Sequence, residues 1–289
     1  MYKKIIGICI CMLVTTTLVS ATNINIKEKI QPLSFTVDVP VWEEGDSWTY
    51  TFHHTHYKYT SNGTLWATID YNCTLLQTVT DNSGDNYTVT WTSTDFEGRA
   101  TYGSVKLKYT PFTKYTAEFI FRKTNLASYQ ERHQLKGFVF WLIGTVGFPF
   151  PAQFMHTREW IYKTAAEYLP FPMTAGTNGT YPGFQYSYQE KCSLYWGIVS
   201  LLNNPITNYS STPRNYHCEM ENITVPKGTY NAYNVSVDLT YGLGQRHDWR
   251  YYVPEVGNTV KVYIDVDNDN SGNPGTIYKL ELVDFNYTP

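Results

Sequence analysis

The sequence runs to 289 residues with a net charge of −3, and only 16% of its residues are charged. That length suits one large domain or two small ones, and without clustered Lys and Arg the chain lacks the electrostatic footprint of a nucleic-acid binder. Aromatic residues reach 17%, and together with abundant Thr they favour the pleated, half-buried surface of antiparallel sheet.

Residues 1–21 carry Lys3 and Lys4, an apolar run from Ile5 to Val19, and then Ser20 and Ala21. This three-part pattern predicts a secretory signal peptide cut after Ala21. The alternative is an uncleaved anchor, since the run falls just short of about 18 apolar residues. Either way the rest of the chain is expected outside, secreted or on the extracellular face of the cell envelope. Residues 22–40 are polar and irregular, a leader or spacer ahead of a single domain at 41–289.

From Ser47 onward, apolar and polar residues alternate with the period of a half-buried strand. Trp48, Tyr50 and Phe52 form the first inward set, Leu65 to Leu75 the second, and Tyr87, Val89 and Trp91 the third. Turns are expected at Asn62-Gly63, at 82–85 and at Glu97-Gly98. Val105 to Tyr109 and Tyr115 to Phe121 complete a five-strand antiparallel meander. The apolar run 137–151 has two readings: a central strand or helix buried on all sides, or an apolar flap over the concave side of the sheet. Residues 155–168 are expected as a helix ended by Pro170 and Pro172, and 184–196 as a strand. Residues 203–215 read as a polar loop. Val225 to Tyr263 reads as three strands in a row, and the chain ends in a hairpin whose arms are 260–266 and 277–287.

Asn-x-Ser/Thr triplets occur at Asn62, Asn72, Asn86, Asn178, Asn208, Asn222, Asn234 and Asn286, all candidates for glycosylation in an exported chain. Asn72, Asn86 and Asn234 fall on the polar phase of a strand. Cys73 shares a phase with inward residues and is expected as a small buried hydrophobe. Cys192 and Cys218 flank the polar stretch and are the natural disulfide pair in an oxidising compartment; two separate thiols are the alternative.

Chemistry-bearing patterns are sparse. Asp265, Asp267 and Asp269 have the spacing of a calcium loop, but Asn270 and Thr276 stand where its glycine and bidentate Glu belong. No other cofactor is indicated. His54 and His56 share a strand face beside His53, yet a metal site needs a third ligand and His247 is a remote candidate, so mixed polar surface is the expectation. Glu219 and Glu221, about 6–7 Å apart on one strand face, fall in the range of a glycosidase pair, although such pairs face each other across a cleft. None of the common nucleophile, zinc or phosphate-loop motifs is present, and the chain is expected not to be an enzyme.

Several short pieces resemble the exported relatives of the lipoprotein-carrier half-barrels (LolA/LolB-like). They are Gly45-Asp46-Ser47-Trp48-Thr49-Tyr50; Leu169-Pro170-Phe171-Pro172 with Gly176; the stretch from Val225 to Val235; Trp249 to Gly257 with Val260-Lys261; and Lys279-Leu280-Glu281-Leu282. The resemblance implies one long antiparallel sheet curved into a half-barrel, with one or two short helices and apolar loops across its concave side. It also implies an apolar groove for a hydrophobic or amphipathic ligand, a lipid among the candidates. Trp48, Tyr50, Phe119, Phe121, Phe140, Trp141 and Phe148 are the expected groove lining. The competing expectation is a core filled completely by these rings, in a cell-envelope or surface interaction module with no small ligand.

Overall fold

The computed structural model describes residues 36–289, apart from 61, 144–145, 148–150, 195–198, 242–243 and 268–273. The expected signal peptide, 1–21, lies outside the described residues, as do Phe148 and Asp269. Almost everything described is strand, and the one helical element among the described residues is a 3-10 turn at Pro254–Val256.

The meander expected from the N-terminal half is present through its fourth strand, but the fifth does not pair with the fourth. β2 (Ser47–Tyr59), β3 (Leu65–Asp81) and β4 (Asn86–Tyr102) pair in sequence. β5 (Val105–Tyr109) and β6 (Lys114–Arg122) then occupy one lane end to end, each bridging β4 to β7 (Ser128–Ile143). The expected turn at Glu97-Gly98 is instead the interior of β4. Gly98 stands opposite Tyr71, where a Cβ would lie 2.4 Å from the Asp70 carbonyl oxygen. The glycine therefore permits close backbone approach rather than a turn. The chain turns at Gly103, whose φ is 57°.

The two-residue β8 (Val146–Gly147) leads to β9 (Ala152–Ala166), which is the correction to the expected helix at 155–168. Ala152, Phe154, His156, Arg158 and Tyr162 are buried, while Met155, Ile161 and Lys163 are exposed. That is a period of two, and pairing with neighbours on both sides overrides helix propensity. The start of the apolar run 137–151 is a strand within the sheet, as part of β7, but it is not buried on all sides, since Phe138 and Phe140 point outward at 41% and 38% exposure while Val139 is buried.

A short pair, β1 (Thr36–Val37) with β10 (Met173–Thr174), draws residues 36–37 of the expected spacer into the folded unit. The main sheet has sixteen strands, all neighbours antiparallel. Its remaining members are β11 (Thr177–Tyr181), β12 (Gln185–Leu194), β13 (Val199–Ser210), β14 (Arg214–Val225), β15 (Gly228–Tyr241), β16 (Gly244–Val253), β17 (Asn258–Asp267) and β18 (Pro274–Asn286). The path runs β11-β14-β15-β16-β17-β18-β2-β3-β4-β5-β7-β9-β12-β13. The sheet is curved but does not close as a barrel.

Its two ends belong to one bent ribbon. Thr177 pairs with Cys218 and Tyr181 with Arg214; further along, Gln185 pairs with Ser210 and Leu194 with Val199. Where the ribbon bends, Ser211 N donates to Phe184 O (2.8 Å) and Phe184 N to Ser211 Oγ (3.0 Å). Most of the expected polar loop 203–215 is therefore β13 and the start of β14. The ribbon also overturns the expected disulfide. Cys192 sits about 15 residues along the ribbon from Thr177, the partner of Cys218, with the bend at Phe184 and Ser211 between them. Both are free buried thiols, in different apolar clusters.

Inward side chains of the meander and of β9, β12, β17 and β18 form the larger cluster, with Trp48, Leu75, Val89, Phe154, Leu194 and Leu282 almost wholly buried. A smaller cluster joins Met173, Tyr181, Cys218, Tyr233, Val235, Val237 and Tyr252. There the segment 167–176 lies against β14–β16, with Leu169 and Phe171 packed on it.

Candidate functional site

Between the meander side of the curve and β16–β18 lies a cavity of about 290 Å³. One wall is Trp91 of β4, Phe119 and Phe121 of β6, Glu131 and His133 of β7, and Arg158, Trp160 and Tyr162 of β9. The other is Arg246 and Arg250 of β16, Val262, Ile264 and Val266 of β17, and Thr276, Tyr278 and Leu280 of β18. These side chains converge because every one sits on the inward phase of its strand. Tyr168, from the crossing segment, closes one end.

The walls differ in chemistry. Phe119 lies 4.7 Å from Trp91 and stacks on Phe121 at 5.7 Å between ring centres, facing the aliphatic groups of β17 and β18. Elsewhere the interior is charged. Asp248, 3% exposed, takes Arg246 in a two-pronged contact at 2.6 and 2.7 Å and Arg250 at 3.3 Å. Arg250 also lies over the Tyr168 ring at 4.5 Å. Burial alone would raise the Asp248 carboxyl, but the two guanidinium groups outweigh it and hold it below the usual range. The Glu131 carboxylate accepts from the hydroxyls of Tyr162 (3.1 Å) and Tyr168 (2.9 Å). It too is held low against the effect of burial, by His133 and those hydroxyls.

Behind the cavity Glu190, fully buried, gathers a second charged set. Its Oε1 accepts from His156 Nε2 at 2.8 Å and Arg158 Nε at 3.1 Å, while its Oε2 accepts from Lys58 Nζ and from Asn204 Nδ2 at 3.4 Å. Burial opposes ionisation of Glu190, yet Arg158, His156 and Lys58 keep it ionised far below the normal range. Burial pushes His156 down to about 4, against the opposing pull of Glu190. His54 and His56 are likewise held neutral, chiefly by burial and then by Arg158.

Of the expected groove residues, only Phe119 and Phe121 line this cavity. Trp48 and Tyr50 are core: Trp48 Nε1 donates to Val256 O at 2.7 Å and Tyr50 OH to Thr259 O at 2.9 Å. Trp141 packs half-buried against the larger cluster, Phe140 is on the outer face, and Phe148 lies outside the described residues. His54 and His56 are interior groups rather than polar surface, with ring centres 6.2 Å apart, whereas His53 and His247 face outward onto Asn72 and Asp238. Glu219 and Glu221 are exposed and bound to His217 and Asn234, so no cleft separates them. Asp265 and Asp267 stand in β17, and Asp269 lies outside the described residues, so the proposed calcium loop is not assembled from what is described. Among the described residues no group of three His, Cys, Asp or Glu is placed to hold a metal ion. The sequon asparagines are exposed or half-buried, none buried.

Arg158, Glu190, Arg246, Asp248 and Arg250 were not singled out in the sequence. Their signal was available: Arg246, Asp248 and Arg250 alternate with His247, Trp249 and Tyr251 on a strand, which puts three charges on one face. No family model matches the chain, and neither does any curated protein or solved structure.

Proposed function

We infer that the chain is an exported, glycosylated binding protein, not an enzyme, that shelters a hydrophobic or amphipathic small molecule inside its curved sheet. The observation carrying this is the cavity of about 290 Å³ between the Phe119–Phe121 wall and β17–β18. That volume is at the lower end of small-molecule sites, ~300–1,000 Å³. Burial of ligand apolar surface would supply the affinity at about 25 cal/mol per Å². Its charged groups are tied to partners, an arrangement that suits holding more than turning over. Export is supported by the signal-like 1–21 and by the eight sequon asparagines, none of which is buried. The half-barrel resemblance points the same way.

A second reading, an envelope-surface interaction module, is favoured by β13. It pairs only with β12 among the described residues and exposes Ile206 and Tyr209, and such an edge accepts another strand. Native mass spectrometry after gentle purification from a glycosylating host separates the two. The binding reading expects a bound small molecule in addition to glycan mass. A protein carrying glycan alone, which also fails to take up 1-anilinonaphthalene-8-sulfonate, would overturn it.

A further inference from the structure

The polar atoms around the cavity are unbalanced in a way that identifies one end of the ligand. Three buried polar atoms of its lining residues have no hydrogen-bond partner: Trp91 Nε1, Arg250 Nε and His56 Nε2. The first two can only donate, and the imidazole nitrogen takes either role. None is an obligate acceptor. A buried donor left unpaired is costly, so the missing complement is rich in acceptor oxygens.

The charges agree. The charged side chains that line the cavity are three guanidinium groups, Arg158, Arg246 and Arg250, and one carboxylate, Glu131, while Glu190 and Asp248, which pair with the arginines, are not among its lining. Those carboxylates are already committed. Glu190 holds Lys58, His156 and Arg158, Asp248 holds both arginines of β16, and Glu131 holds two tyrosine hydroxyls. In a low-dielectric cavity a lining of three guanidinium groups against one carboxylate favours an incoming anion.

We propose that the ligand is a single-chain organic anion whose carboxylate-like head meets Arg246 and Arg250 beside Tyr168, with its apolar chain lying between Phe119–Phe121 and Ile264–Leu280. The assignment rests on the binding reading above and adds the sign of the head. The volume sets the length: about 290 Å³ holds roughly ten groups of water size, at ~30 Å³ each. One chain of about ten carbons fits.

The test is a matched series on the intact protein by titration calorimetry at neutral pH: decanoate and decylamine below their micelle concentrations, and 1-decanol below its solubility limit. Decanoate is expected to bind at least about tenfold more tightly than decanol, as charge-assisted hydrogen bonds imply, with decylamine weakest. The Arg250→Gln variant should bring decanoate down to the level of decanol measured on the same variant. Decanol or decylamine equalling decanoate on the wild-type protein would overturn the anionic head and leave the binding reading intact. So would a folded Arg250→Gln variant that keeps the full preference. Failure of all three probes to bind would overturn both. Should the variant not fold, the wild-type series alone decides.

Discussion

Replacing Glu190 by Gln removes one negative charge from a site of 0% exposure while keeping the side chain's shape. The wild-type carboxylate compensates Arg158 and Lys58 and orients His156. In the variant two cations lose their counter-ion, and half of the new amide presents donors to groups that themselves donate. Breaking a buried pair from one side costs roughly 3–5 kcal/mol, because the surviving charge stays desolvated. For a domain of this size that lowers Tm by roughly 6–20 °C, at ~2–4 °C per kcal/mol. Urea unfolding followed by tryptophan fluorescence reads the change as a lower midpoint at unchanged slope. Lys58 is 21% exposed at its side chain, so Lys58→Gln should cost less than Glu190→Gln. A Glu190→Gln loss below about 1 kcal/mol, the scale of a solvated surface pair, would refute the argument that this network is dry.

Three further outcomes are expected. Stability should fall as pH drops from about 6.5 to 4: His156 titrates near 4 when folded and near 6.5 when unfolded, so the unfolded chain binds the extra proton first. His156 alone accounts for about 3 kcal/mol over that window, His54 and His56 act in the same direction, and a urea midpoint flat from pH 7 to 4 would contradict this. Gly98→Ala should destabilise by about 1–3 kcal/mol, since the added Cβ meets backbone atoms of Asp70 and Tyr71 at 2.4 and 2.7 Å; unchanged unfolding would show that β3 yields there. Burial pushes the thiols of Cys73 and Cys192 up to about 12 and that of Cys218 up to about 11, so all three should react with Ellman's reagent only after unfolding, and a non-reducing peptide map that links Cys192 to Cys218 would refute the ribbon register.

Strands were legible wherever one face is core and the other is water. Ala67 to Leu75 and Tyr233 to Val237 alternate without interruption, and β3 and β15 carry those residues with the expected faces, whereas Leu65, at the start of β3, is exposed rather than inward. Legibility failed where the inward face is itself polar. In β9 the inward set is Phe154, His156, Arg158 and Tyr162, so period two does not sort by hydropathy and the segment read as a helix. The cavity shares that property, which is why its charged wall was missed while Phe119 and Phe121 were found. Trp48 and Tyr50 were assigned to a groove because alternation reveals which face is inward. It does not reveal whether another element fills the space in front of it, and here the 3-10 turn at Pro254–Val256 packs against Trp48.

The inward charges carry one last consequence, and it separates function from folding. A buried Arg–Asp–Arg set is weak evidence for stability, since well-packed apolar residues of similar volume often match or exceed it by about 1–4 kcal/mol. If Arg246, Asp248 and Arg250 serve the fold alone, replacing all three together (Arg246→Met, Asp248→Leu, Arg250→Met) should change stability and nothing else. If they serve an anionic ligand, the triple variant should be as stable as the parent or more so, yet bind decanoate no better than decanol. Removing all three charges also avoids the stranded carboxylate that complicates Arg250→Gln. Midpoint in urea and the decanoate-to-decanol ratio, measured on the same sample, decide between the two. A variant that is stable and keeps the ratio would mean that the three charges have no part in binding an anion.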